Sequence, residues 1–194
     1  MPLLFFCLLL PASGATEGTL RNQRVLQRAV SACRDGDLVF RYGNGFLSPY
    51  FRDASTVHKR FSHTGVIVFQ NGLPWVVHSD AHSMTGIGKV HLVRLDEFLS
   101  GASDYAFYRL GASGNVGLRI SQAASSYIGR QFDTEFDTQD ASKLYCSELV
   151  MRAVNEACGR PVIRPSVIHG KSVVAIDDCY RDPCIRELRL SGGA

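Results

Sequence analysis

Leu144-Tyr145-Cys146-Ser147-Glu148-Leu149-Val150 opens a segment that runs on through Met151-Arg152-Ala153-Val154-Asn155-Glu156-Ala157 to Cys158-Gly159. Leu144, Leu149, Val150, Ala153, Val154 and Ala157 recur at three- and four-residue spacing, the pattern of a helix with one apolar face. Gly159 and Pro161 mark its end, and Asp140 or Ser142 supplies a side-chain cap for its start. This places Cys146 within about the first turn, at the positive end of the helix dipole. A thiol there, with an imidazolium nearby, is expected to titrate between ~3.5 and ~7.5. The alternative is a small buried hydrophobe, the common fate of a cysteine in a helix.

The 194 residues, 45% hydrophobic, suffice for one well-buried domain. The net charge of +3 comes from interspersed signs, with no basic run and no aromatic-basic interleaving, so nucleic acid is not an expected partner. Residues 1–15, Met1 to Ala15, form a short apolar run, a break at Pro11 and small residues, and read as a signal peptide cleaved near Ala15. The run is shorter than the ~20 apolar residues of a membrane span. A periplasmic or secreted protein is expected. Of six cysteines, Cys7 leaves with the signal and Cys146 is reserved for chemistry, which leaves Cys33, Cys158, Cys179 and Cys184. Cys179 and Cys184 flank a turn-like Tyr180-Arg181-Asp182-Pro183, so both a disulfide and two free thiols stand open. No Cys-x-x-Cys pair is present to support a zinc knuckle or a dithiol redox site.

Residues 16–34 carry Val25, Leu26, Ala29, Val30 and Ala32 at helical spacing and form an N-terminal helix ahead of the domain at 35–194. Asp37 to Arg41 reads as a strand, Tyr42-Gly43-Asn44-Gly45-Phe46 as a loop that lets backbone approach a cleft, and Ser48-Pro49 as a helix start capped by the serine. His63-Thr64-Gly65-Val66-Ile67-Val68-Phe69 and Trp75-Val76-Val77-His78-Ser79 are strands joined by a Gln70-Asn71-Gly72 turn. The hairpin brings His63, at the start of one strand, beside His78, near the end of the other. Further strands are expected at 90–95 and 105–110, a turn of helix at 96–99, a helix at 114–129 and a last strand at 185–190. The whole is an α+β domain with a small antiparallel sheet packed with helices.

A nucleophilic cysteine at a helix start needs an imidazole as general base and a third polar group to orient it. His63 and His78 meet that need. His58 in a polar loop, His82 after the hairpin, His91 on an outer strand and His169 in a late loop are weaker candidates. The His78/His82 spacing would suit zinc only on a helix, so no metal and no cofactor is expected.

Gly36-Asp37-Leu38-Val39-Phe40-Arg41, Phe61-Ser62-His63-Thr64-Gly65-Val66-Ile67-Val68, and Phe132-Asp133 through Tyr145-Cys146-Ser147-Glu148-Leu149-Val150 together resemble the YiiX/YebB-like branch of the NlpC-type papain-like cysteine hydrolases. The resemblance spans roughly residues 35–185. It implies a circularly permuted papain-like fold, since His63 precedes Cys146, with Cys146 as nucleophile, His63 as base and His78 as third residue. Many relatives carry a carboxylate at the third position, whereas the His-His-Cys set is similar to that of lecithin-retinol acyltransferase-like proteins. The oxyanion donors implied are the Cys146 N–H and a second group from Tyr145 or the Gly43 and Gly45 loop. The resemblance points to amide cleavage through an acyl-thioester in a peptidoglycan peptide, with a lipid ester or amide as the second substrate class. A non-catalytic module that keeps the cleft is the third reading.

Overall fold

The computed structural model describes residues 17–82 and 84–190. The signal-peptide reading of residues 1–15 lies outside them. In chain order the elements are α1 (Glu17–Ala32), β1 (Leu38–Tyr42), α2 (Ser48–Asp53), β2 (His63–Gln70), β3 (Leu73–Ala81), β4 (Gly88–Arg94), α3 (Leu95–Phe98), β5 (Asp104–Leu110), α4 (Val116–Ser126), α5 (Cys146–Cys158), β6 (Ser166–Ile168), β7 (Lys171–Val173), α6 (Asp178–Arg181) and β8 (Ile185–Glu187). The main sheet is six-stranded in the order β4-β3-β2-β1-β5-β8, and every neighbouring pair is antiparallel. The fold is α+β, as the sequence pattern leads one to expect.

Strand pleating sends alternate side chains to opposite faces, and both faces of this sheet are covered. Leu38, Phe40, Val66, Val68 and Val77 pack with α4 and α5 residues such as Ile120, Ala124, Leu149 and Val150. Val39, Ile67, Val76 and Phe107 pack the other way, against Val25 and Ala29 of α1 and against Leu95 and Phe98 of α3. The β2–β3 hairpin closes through Asn71 at φ 52° and Gly72 at φ 76°. Two successive left-handed residues make the turn whose twist matches the strands, and this pins the register at Gln70↔Leu73 and Val66↔Val77.

Several local expectations are corrected. α5 begins at Cys146 itself, with Tyr145 as an extended N-cap and, among the described residues, no side-chain cap. Asp140 is engaged in its own turn, accepting the Ser142 N–H at 2.9 Å. Ser48 lies inside α2 and Leu47 caps it, with Pro49 in the first turn. The last strand covers only Ile185–Glu187, pairing with β5. Cys179 and Cys184 are free thiols. The stretch between them starts in helix α6, and this turns Cys179 into the core, where its Sγ lies 3.5 Å from the Ser147 carbonyl oxygen.

Candidate active site

His63 is the first residue of β2 and His78 lies two-thirds along β3. The hairpin register carries them to the same end of the sheet, where His63 Nε2 and His78 Nδ1 are 2.9 Å apart. Gly65 makes this approach possible. A Cβ there would stand 2.5 Å from Val76 Cγ1, 2.8 Å from the Val77 carbonyl oxygen and 3.1 Å from His78 Cβ, so only glycine lets β3 lie this close behind the histidine. By alternation both rings lie on the α1/α3 face of the sheet. Phe98 of α3 stacks on His63 with centroids 5.5 Å apart and meets His78 edge-on at 5.2 Å, forming an apolar wall.

His91, discounted on sequence as a residue of an outer strand, belongs to this cluster. It is the cross-strand partner of His78, and its Nε2 is 2.8 Å from His78 Nε2. Arg41, opposite His63 across the β1–β2 pair, was likewise not singled out. Its Nη1 donates to the Phe98 carbonyl at 2.7 Å, its guanidinium lies 4.8 Å from the Phe98 ring centroid, and its buried Nε has no partner among the described residues. Burial pulls the Arg41 pKa down, and the nearby Asp80 charge opposes that shift. Strand pairing is the signal that identifies both residues, since each faces one of the two predicted histidines across a ladder.

Cys146 reaches this end of the sheet from the opposite layer, on the helix that packs beneath β2. It is 8% exposed. Backbone N–H groups of Thr64, Ser147 and Cys146 face the sulfur and favour its ionised form, and Thr64 is the residue after His63. Burial outweighs them and pushes the thiol up to about 11, with Asp80 adding to the shift. The low thiol pKa expected from the helix position is therefore overturned: the dipole and N–H groups are present, but the sulfur is too deeply desolvated for them to win. His63 and His78 are held well below the ordinary imidazole value, first by burial and then by neighbouring charges. At rest the three groups are a neutral thiol and two neutral imidazoles. Among the described residues, Cys146 and His63 are not joined by a hydrogen bond.

A cavity of about 270 Å³ opens beside His63, lined by Arg41, Gly43, Gly45, Ser48, Phe51 and Asp80 among others. Gly43 and Gly45 thus form part of its wall, and the Gly43 N–H is engaged by Ser62 Oγ at 3.2 Å. The Tyr145 hydroxyl is turned into the core, where it accepts the Val174 N–H at 2.8 Å. His82 is exposed and its Nδ1 accepts the Met84 N–H, while His58 stacks on Tyr180 and His169 sits at the β6–β7 turn.

Ligand atoms of His63, His78 and Asp80 lie within 4.8 Å of one another. As arranged, the two imidazoles do not fit a metal. A tetrahedral ion with bonds of about 2.05 Å sets its nitrogen ligands about 3.3 Å apart with both lone pairs aimed at a common point. Here the nitrogens face each other at 2.9 Å along a hydrogen bond, and the second nitrogen of His78 is taken by His91.

Histidine ahead of cysteine, on an antiparallel sheet flanked by this helix, is the layout expected of a papain-like hydrolase whose chain has been circularly permuted. Residues 32–178 match the family described as permuted papain-like amidase enzyme, YaeF/YiiX, C92 family, and the chain belongs to it. It is 25% identical over 131 residues to the uncharacterized protein YiiX of Escherichia coli strain K12, covering 66% of this chain and 60% of that relative's length. The crystal structure described as metalloprotein YiiX from Escherichia coli O157:H7 superposes with a TM-score of 0.67 at 20% identity, covering 80% of this chain and 96% of that one.

Proposed function

We propose that this chain is a cysteine amidase in which Cys146 is the nucleophile, His63 the general base and His78 the residue that orients it. The observation that carries this reading is the position of Cys146 at the first residue of α5, with its sulfur facing the N–H of Thr64, next in the chain to His63. Because thiol and imidazole are both neutral at rest, the base acts during attack and not before it. The thiol proton passes to the His63 nitrogen not engaged by His78 as sulfur adds to the carbonyl carbon. The Cys146 N–H at the helix start and a donor of the Gly43–Gly45 wall receive the developing oxyanion. Collapse expels the amine, which takes the proton back from His63, and water hydrolyses the thioester by the same route. Hydrogen bonds of this kind are commonly long in the unliganded state and tighten once substrate is bound.

A peptide amide, as in a cell-wall stem peptide, suits an amidase of a secreted or periplasmic protein, the location proposed from the N-terminal run. Lipid acyl amides form the second class. Phe46 at the cavity rim is 88% exposed, and Met84 and Ile87, in the connection that leaves β3, are 85% and 76% exposed. Side chains of that kind suit acyl chains or a membrane surface. No described helix is long and apolar enough to cross a membrane.

The test is intact mass spectrometry of the protein mixed with a muropeptide or with an N-acyl lipid amide, under rapid acid quench. The adduct expected is the acyl portion of one substrate on Cys146, absent from Cys146→Ala. Unimpaired turnover by Cys146→Ala would end the covalent reading. N-terminal sequencing of the mature protein from the producing cell tests export, with cleavage near Ala15 expected.

A further inference from the structure

His78 is 4% exposed, and both of its ring nitrogens are engaged, Nδ1 by His63 Nε2 at 2.9 Å and Nε2 by His91 Nε2 at 2.8 Å. Each of these contacts holds one proton. A neutral His78 has only one N–H to give, so the tautomers of the three rings are locked together. If His78 donates from Nε2 to His91, its Nδ1 is an acceptor and His63 must donate from Nε2. That leaves the His63 Nδ1 lone pair free. In the reverse arrangement His91 donates to His78, His78 donates from Nδ1 to His63, and the His63 proton is displaced onto Nδ1. The base is then blocked.

We propose that His91 is a positioning residue: by accepting the His78 Nε2–H it selects the arrangement in which His63 Nδ1 is unprotonated and ready to act as base. The inference rests on the reading of His63 as general base given above. Burial gives the selection its strength. A buried N–H without an acceptor is strongly disfavoured, because it has given up its bond to water and gained nothing in return. Without His91, His78 escapes that cost by moving its proton to Nδ1, where His63 Nε2 accepts it, and the base is lost. His91 is only half-buried, so its own Nδ1–H is within reach of water, and the chain ends where the last proton can be solvated. The centroid spacing of 4.3 Å between the His78 and His91 rings and the edge-on contact of Phe98 with His78 keep the row from rotating apart.

Two variants separate acceptance from mere bulk. Glutamine at this position offers an Oε1 acceptor, whereas phenylalanine fills the space without one. The expected result is that His91→Phe loses at least tenfold in kcat with KM within twofold of the parent, while His91→Gln retains at least a third of kcat. Ring 15N shifts of the resting protein give a readout independent of turnover: His63 and His78 both in the Nε2–H form in the parent and in His91→Gln, and both in the Nδ1–H form in His91→Phe. Unchanged tautomers or unchanged kcat in a folded His91→Phe would overturn the proposal, as would equal losses in the two variants. Should His63→Ala retain full turnover, the base assignment fails, while the ring shifts still report whether His91 sets the tautomer of His78.

Discussion

His63 and His78 face each other at 2.9 Å with their rings at 87°, and one proton occupies the line between them. A carboxylate at this third position would supply charge; an imidazole supplies direction. His78→Gln, which keeps a neutral hydrogen-bonding group, is expected to lower kcat by about ten- to a hundredfold, less than His63→Ala, because orientation survives in part. His78→Glu restores charge and should hold or raise the rate. A His78→Ala enzyme with unaltered rate and pH profile would make the residue a bystander, measured by steady-state kinetics on the three His78 variants and His63→Ala.

Gly65 is tested by a single methyl group. Gly65→Ala places a Cβ against the Val77 carbonyl at 2.8 Å and Val76 Cγ1 at 2.5 Å, so β3 must move away from β2. The His63–His78 contact should open, and kcat should fall by tenfold or more while the far-ultraviolet spectrum stays close to the parent's. Full activity in this variant would mean that the close approach is incidental.

The Cys146 thiol should show no thiolate absorbance at neutral pH and a midpoint near about 11 in ultraviolet titration. About one molecule in ten thousand is then ionised at pH 7. Simple alkylating agents should react slowly, whereas a substrate-like acylating agent that engages His63 should react fast. A midpoint at or below the unperturbed ~8.5 would replace general-base attack with a preformed ion pair.

Stability should follow the same burial. Cys33 and Cys146 are raised to about 12 and about 11 from 9.0, so their burial stabilises the fold fully below pH 9 and the contribution is lost as pH rises through those values. His63 and His78 are shifted the other way from 6.5. Their contribution is present above that value and is lost as pH falls through the lowered folded values. Compared with variants lacking these groups, denaturant titrations should show their contribution level between about 6.5 and 9 and lost on both sides, superimposed on the opposite trend of Glu148, whose carboxyl burial raises to about 7. A flat profile through both limits would contradict the buried, neutral site.

Away from the site, Asp37 is 1% exposed and accepts Arg109 through two bonds, of 2.8 and 2.7 Å, and the Arg34 N–H at 2.8 Å. This ties the end of α1 to β1 and β5. Asp37→Ala leaves the partly exposed Arg109 guanidinium and the Arg34 N–H without their acceptor and should cost ~1–3 kcal/mol in denaturant unfolding. A loss below 1 kcal/mol would show that water replaces the carboxylate there.

The amphipathic period of α5, the apolar β2 strand and the Asn71-Gly72 turn were legible because each depends on residues a few positions apart. Together they determined that a cysteine opens a helix and that His63 and His78 meet, since a two-residue turn leaves the hairpin little choice of register. The motifs around His63 and Cys146 also carried the family. What lay beyond the sequence depends on contacts between distant segments. His91 joins the row because β4 pairs with β3 after a connection at 82–87 whose length does not dictate register. Phe98 closes the row only because α3 folds under the sheet. The start of α5 at Cys146, and not a turn earlier, follows from the bridge between Lys143 and Gln131 and the Leu144 N–H bond to the Gln131 carbonyl, which keep the chain extended up to Tyr145. The state of the thiol was the largest reversal: helix position argued for a thiolate, but desolvation depends on how completely the layers close over the sulfur, and only the packed structure decides that.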